Sequence, residues 1–233
     1  MPDTEESNSW NLPLMALAFE CALIPLAAIL GTLVGHSPVQ TIADGSAGWY
    51  DDGLAVLWGA CATAPPVLGL WLMQRSSWRP FTELRELVDR QIAPLFDRCS
   101  IVEFAILALI AGVGEELLFR GLFQDVVATW ISEFSGREAG SFVPLAVSVI
   151  LTSLLFGSLH ALSRTYFVLA TLMSVYLGIL HWLVGHVGAP IATHALYDFV
   201  ALAFFLRGTS TTNCPGPENS DADQASTPPG AQS

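Results

Sequence analysis

Residues 101–127, IVEFAILALIAGVGEELLFRGLFQDVV, read as one long apolar helix with a charged insert, Glu115-Glu116-Leu117-Leu118-Phe119-Arg120. At 1.5 Å per residue such a helix is long enough to cross a hydrocarbon core of about 30 Å. A charge at the centre of a bilayer costs roughly 2.5–3.5 kcal/mol on insertion scales unless it faces a partner or a wet cavity. Two carboxylates and a guanidinium here therefore imply a polar site inside a membrane bundle.

Working outward, two further apolar stretches carry similar interruptions: Phe156-Gly157-Ser158-Leu159-His160 and His194-Ala195-Leu196-Tyr197-Asp198. Three sets of ionisable residues on three separate apolar helices suggest one shared site. Positions four apart on a helix are stacked neighbours, so Glu116 and Arg120 should face and neutralise each other. Glu115, rotated by about 100° from Glu116, has no partner in its own helix. His194 and Asp198 stack in the same way, with the carboxylate able to orient the imidazole. His160 ends its helix and is suited to accept a proton near neutral pH.

Composition agrees with a membrane protein. Charged residues make up 13% of the 233-residue chain, about half the share usual in a soluble domain. Hydrophobic residues reach 52% and the mean hydropathy is +0.53. The net charge is −12, and all nine basic residues are arginines. With no basic stripe, a nucleic-acid partner is excluded. The partners expected are membrane lipid and a membrane-associated protein or peptide. Cys21, Cys61, Cys99 and Cys214 lie far apart with no C-x-x-C spacing, and are read as unpaired small apolar residues.

The pattern predicts an all-α fold, a polytopic bundle of about six transmembrane helices with one interfacial amphipathic helix. The spans are 12–34, 53–73, 101–127, 142–159, 166–184 and 187–206, with Pro65-Pro66 kinking or breaking the second. Residues 75–98 hold five of the nine arginines, with Phe81, Leu84, Leu87, Val88, Ile92 and Leu95 at helical spacing, as in a helix lying on the interface. A polar tail over 1–10 precedes a membrane-embedded domain over 11–207, and 208–233 reads as a disordered tail. The N-terminus lacks a cleavable signal pattern. The arginine cluster, Arg164 and Arg207 fall on one side, so the positive-inside rule puts both termini in the cytoplasm of an integral membrane protein.

Straight-helix counting does not bring the three sets to one depth. His160 falls about 27 Å from the start of its helix, too near the inner face to match Glu116 and His194. Either that helix begins later than residue 142, or tilt and a deep water-filled cavity join the groups. Gly112, Gly114, Gly157 and Gly178 suit close helix packing. Trp130 and Trp182 fit an interfacial belt. Glu20, His181 and His186 are further ionisable residues that fit no motif, and His186 is read as solvated.

The order E-E-x-x-x-R, F-x-x-x-H and H-x-x-x-N/D over successive spans resembles the CPBP family, the CAAX-protease and bacteriocin-processing intramembrane proteases. The likeness covers about residues 80–206, and Phe81-Thr82-Glu83-Leu84-Arg85 also resembles some bacterial members, which implies a prokaryotic inner or plasma membrane. The resemblance implies that Glu115 and His160 activate water, that Glu116 and Arg120 support them, and that His194 and Asp198 hold the oxyanion. Asp198 departs from members with Asn there. An ionised Asp198 cannot donate a hydrogen bond, so it must be protonated or orient His194 instead.

The residue chemistry agrees. Peptide hydrolysis needs a base for water, a donor for the tetrahedral oxyanion and a proton for the leaving amine. Zinc is open at this point, because Glu115, His160 and His194 would make a His₂Glu set, yet no H-E-x-x-H occurs. The reading is an intramembrane endopeptidase; the alternative is an inactive scaffold or peptide-binding protein using the same pocket. A proton-coupled transporter has no paired halves to support it.

Overall fold

The computed structural model describes residues 11–38, 49–96, 99–138 and 141–209. The tail expected at 1–10, all but the first two residues of that at 208–233, and Cys214 lie outside them. Every regular element among the described residues is helical, as the apolar periodicity predicts.

Helix α1 spans Asn11–Val34. The second predicted span is two helices, α2 (Trp49–Ala62) and α3 (Ala64–Arg75), parted at Thr63. The break has the expected cause: Pro65 and Pro66 have no N–H to donate to carbonyls four residues back. The Ala62 carbonyl that Pro66 leaves free is taken by the Tyr176 hydroxyl, 2.7 Å away. Thr63 keeps near-helical angles (φ −69°, ψ −23°), so the two halves still run as one apolar segment.

The amphipathic stretch is α4 (Arg79–Leu87), a π turn (Val88–Ile92) and α5 (Ala93–Phe96). Leu84, Val88 and Ala93 are buried beneath it. Its outer face carries exposed i,i+4 pairs, Arg79–Glu83 at 2.7 Å and Arg90–Glu86 at 3.2 Å, which contribute little stability.

Helix α6 (Ile101–Leu118) opens on a capping box: Ser100 Oγ accepts from the Glu103 amide and Glu103 Oε2 accepts from the Ser100 amide at 2.6 Å. It does not run on to residue 127. A π turn, Phe119–Gln124, follows directly, and α7 (Asp125–Ser135) continues to Gly136, whose left-handed φ of 64° ends it. Helix α8 (Phe142–Leu159), α9 (Arg164–Val184) and α10 (Gly188–Thr209) complete the bundle.

Helix α6 is the centre, packed against α1 on one side and α10 on the other, while α8 pairs with α9. The glycines read as packing positions do that work. A Cβ on Gly112 would lie 3.1 Å from the Ala195 Cβ, and one on Gly114 would lie 2.8 Å from the Glu20 carbonyl oxygen. The outer faces stay apolar: Leu14, Met15, Phe19 and Leu33 of α1 are each more than 60% exposed. Such a surface suits hydrocarbon, not water.

Four segments are long and apolar enough to cross a membrane: Pro13–Val34, Asp52–Arg75, Phe142–Leu159 and Arg164–Val184. The other two expected spans, 101–127 and 187–206, are those whose charges enter the polar site. Helix α6 has three acidic residues, and α10 has His194 and Asp198. An all-α membrane bundle results, with the helix that carries Glu115 and Glu116 at its centre.

Candidate active site

The last turns of α6 are wholly enclosed, with Gly114 through Leu118 all buried. Glu116 and Arg120 are 0% and 1% exposed. Their pairing follows the i,i+4 expectation, with Arg120 Nη1 donating to Glu116 Oε1 at 2.9 Å. Arg120 Nη2 reaches α9, donating to the backbone oxygen and hydroxyl of Ser174, each at 2.9 Å. Three oxygens on two helices thus satisfy a guanidinium that would otherwise be an uncompensated buried charge.

The same Glu116 oxygen meets a second partner. His194 Nδ1 lies 2.7 Å from Glu116 Oε1, so Arg120, Glu116 and His194 form one chain across α9, α6 and α10. The other His194 nitrogen, Nε2, faces Asp198 Oδ2 at 3.4 Å and Glu115 Oε2 at 3.8 Å.

Glu115, one 100° step round the helix from Glu116, lies between His194 and His160. Its Oε1 lies 3.7 Å from His160 Nε2, and its buried Oε2 has no hydrogen-bond partner. His160 is the C-cap of α8. Its Nδ1 is 2.9 Å from the Phe156 carbonyl, which accepts only from a protonated nitrogen, so Nδ1 carries a proton and Nε2 is turned to Glu115. Phe156 stacks on the His160 ring with centroids 4.3 Å apart and planes at 19°. The Arg120 guanidinium carbon sits 5.3 Å from the same phenyl centroid.

All six expected residues therefore gather at one place. Helix α8 begins at 142 as read, so the depth mismatch was not a misplaced boundary. Straight rods cannot represent a cavity that lets His160, at a helix end, meet mid-helix groups. That cavity is about 780 Å³ and is lined by Glu20, Glu115, His160, Tyr166, His194 and Asp198 together with apolar side chains of α3 through the π turn.

Three features escaped the sequence reading. Ser174 gave only a weak signal, a lone hydroxyl in an apolar run. The His194–Glu116 bond joins residues 78 apart, which no local spacing reveals. Glu20 was visible as an ionisable residue in a span, but nothing local tied it to the site. One expectation is corrected. His186 is not simply solvated: Nε2 is 2.9 Å from Asp52 Oδ1, and Nδ1 accepts from the Gly188 amide at 2.9 Å, closing the start of α10. Cys21, Cys61 and Cys99 are free, as expected.

His160 and His194 approach different oxygens of Glu115, at 3.7 and 3.8 Å. Among the described residues no group of three His, Cys, Asp or Glu side chains could hold a metal ion. The candidate His₂Glu set does not fit, and no step below passes through a metal.

With the geometry in hand, comparison with known proteins gives one positive finding. Residues 97–200 match the family model described as Rce1-like, type II CAAX prenyl endopeptidase Rce1-like. That range runs from just before α6 to the middle of α10 and contains all three motif sets. No curated protein and no solved structure matches the chain.

Proposed function

Because residues 97–200 match the Rce1-like family model, we propose that the chain is an intramembrane protease of the CPBP/CAAX family, in which Glu115 and His160 activate water to cleave a peptide bond of a membrane-associated protein or peptide. The supporting observation is the Glu115 carboxylate set between two imidazoles, 3.7 Å from His160 Nε2 and 3.8 Å from His194 Nε2, on the wall of a cavity.

In this reading one water donates to Glu115 Oε1 and to His160 Nε2, whose lone pair is free because Nδ1–H serves the Phe156 carbonyl. Atoms 3.7 Å apart can share a single water at ordinary hydrogen-bond lengths. The water's remaining lone pair is left to attack the scissile carbonyl carbon. Its proton passes to one of the two bases and later to the leaving amine.

His194, with a proton on Nε2, is the oxyanion donor. Glu116 fixes the ring through Nδ1, and Arg120 fixes Glu116, so the donor is held before the charge develops. Asp198 Oδ2, 3.4 Å from Nε2, steadies the doubly protonated His194 ring by its charge and leaves the Nε2 proton to the oxyanion. That role requires no donor on Asp198 and accommodates its departure from Asn. The arginine distribution favours both termini in the cytoplasm, and the likeness of Phe81-Thr82-Glu83-Leu84-Arg85 to some bacterial members favours a prokaryotic inner or plasma membrane.

The test is cleavage of a fluorogenic peptide panel by detergent-purified protein beside Glu115→Gln. Cleavage should fall by about 10²–10⁴-fold in the variant, the usual contribution of a positioned acid–base group. Full cleavage by Glu115→Gln would remove the assigned role, and an inert scaffold is the reading left if neither protein cleaves.

A further inference from the structure

One ionisable side chain on the cavity wall has no part in the mechanism above. Glu20 comes from α1, outside the 97–200 segment that matches the family. It stands at the α1–α6 contact, where Gly114 lets the two backbones approach. A Cβ on Gly114 would come within 2.8 Å of the Glu20 carbonyl oxygen and 3.2 Å of the Leu23 Cβ. The residue after that glycine is Glu115, so the close approach sets the two carboxylates on one wall of one cavity.

The wall carries three carboxylates against two imidazoles, His160 and His194, both of which face Glu115. Glu20, Glu115 and Asp198 line it, no arginine does, and the chain has no lysine. Arg120 lies behind the wall and is fully engaged by Glu116 and Ser174. Glu20 Oε2 is buried and has no hydrogen-bond partner. Glu115, only 7% exposed, also leaves Oε2 without one on the same wall. Unpaired buried acceptors of this kind cost free energy unless an occupant supplies a donor. Apart from these carboxylates, the two imidazoles and the tyrosines Tyr166, Tyr176 and Tyr197, the lining is apolar. The anionic partners open to a cation entering the cavity are therefore these carboxylates, and Glu20 is the one that faces neither imidazole at ion-pair distance.

We propose that Glu20 is a specificity-determining residue, which receives a cationic group, the ammonium or guanidinium of a lysine or arginine side chain, from the bound peptide. The inference rests on a peptide as the ligand of this cavity. It adds a charge preference that water activation by Glu115 and His160 does not require. Glu20 holds the substrate by charge complementarity while Glu115 stays free for water.

The experiment uses two labelled peptides identical except for lysine or norleucine beside the scissile bond, tested with the full chain in detergent. Binding is read by fluorescence anisotropy and cleavage by kcat/KM, for the wild type, Glu20→Gln and Glu20→Asp. The wild type should prefer the lysine peptide by about tenfold or more, the scale of a hydrogen bond to a charged group. That ratio should collapse toward one in Glu20→Gln and recover in part in Glu20→Asp. A ratio near one in the wild type, or a preference unchanged in Glu20→Gln, overturns the proposal. A Glu20-dependent binding preference without cleavage of either peptide would uphold the charge pocket and count against the endopeptidase reading, so the two failures are distinct. Glu20→Gln preserves the side-chain shape, and a matched melting temperature confirms that a lost ratio is not misfolding.

Discussion

His194 Nδ1 lies 2.7 Å from Glu116 Oε1, on the oxygen that also accepts from Arg120 at 2.9 Å. The helix that carries the proposed general base thus also fixes the ring proposed to hold the oxyanion. Glu116 joins two partners through one oxygen: its i,i+4 pair with Arg120 is architectural, and its cross-helix bond holds the proposed oxyanion donor.

Replacement of Arg120 by alanine is expected to destabilise the fold by about 3–5 kcal/mol, because it leaves the 0%-exposed Glu116 uncompensated. Thermal unfolding in detergent reads this as a large fall in melting temperature. Arg120→Lys should recover only part, since an ammonium cannot reach Glu116 and both Ser174 oxygens with the guanidinium's fork.

The pair His194→Ala and Asp198→Asn separates the donor from the carboxylate that steadies it. Loss of the donor should lower kcat by about 10²–10³-fold, as for removal of an oxyanion-hole hydrogen-bond donor. Asp198→Asn keeps the side-chain shape and removes only the charge near Nε2, so its loss should be within about tenfold. Equal losses in the two variants, measured as kcat on one peptide, would reverse the assignment.

Chelation is expected to leave both cleavage rate and melting temperature unchanged, because the donors near Glu115 do not form a metal-holding group. A chelator-induced fall restored by zinc alone would contradict the geometry of His160, Glu115 and His194.

Gly114→Ala should destabilise by about 1–3 kcal/mol, the usual cost of overpacking. The new Cβ would meet the Glu20 carbonyl oxygen at 2.8 Å, and that backbone can yield only by moving α1 away from α6. Melting temperature reports the cost. Cleavage of lysine and norleucine peptides then reports whether Glu20 has shifted from the cavity.

Much of this was written locally in the chain. Apolar runs fixed by composition gave the helices, because in hydrocarbon a helix satisfies its own backbone. Pro65-Pro66 marked the break at Thr63, and the i,i+4 spacing of Glu116 and Arg120 gave their pairing, because both depend on neighbours within one turn. The three motif sets named the six candidate residues for the same reason, and the fold gathers them at one place. The tertiary structure alone decided what spacing cannot encode. It divided 101–127 at a π turn, attached His194 to Glu116 and Arg120 to Ser174, and brought His160 from a helix end to Glu115. It also put Glu20 on the wall of the same cavity, across the gap that Gly114 leaves. Each of those contacts joins helices distant in sequence, and its energy exists only once packing has chosen which faces meet.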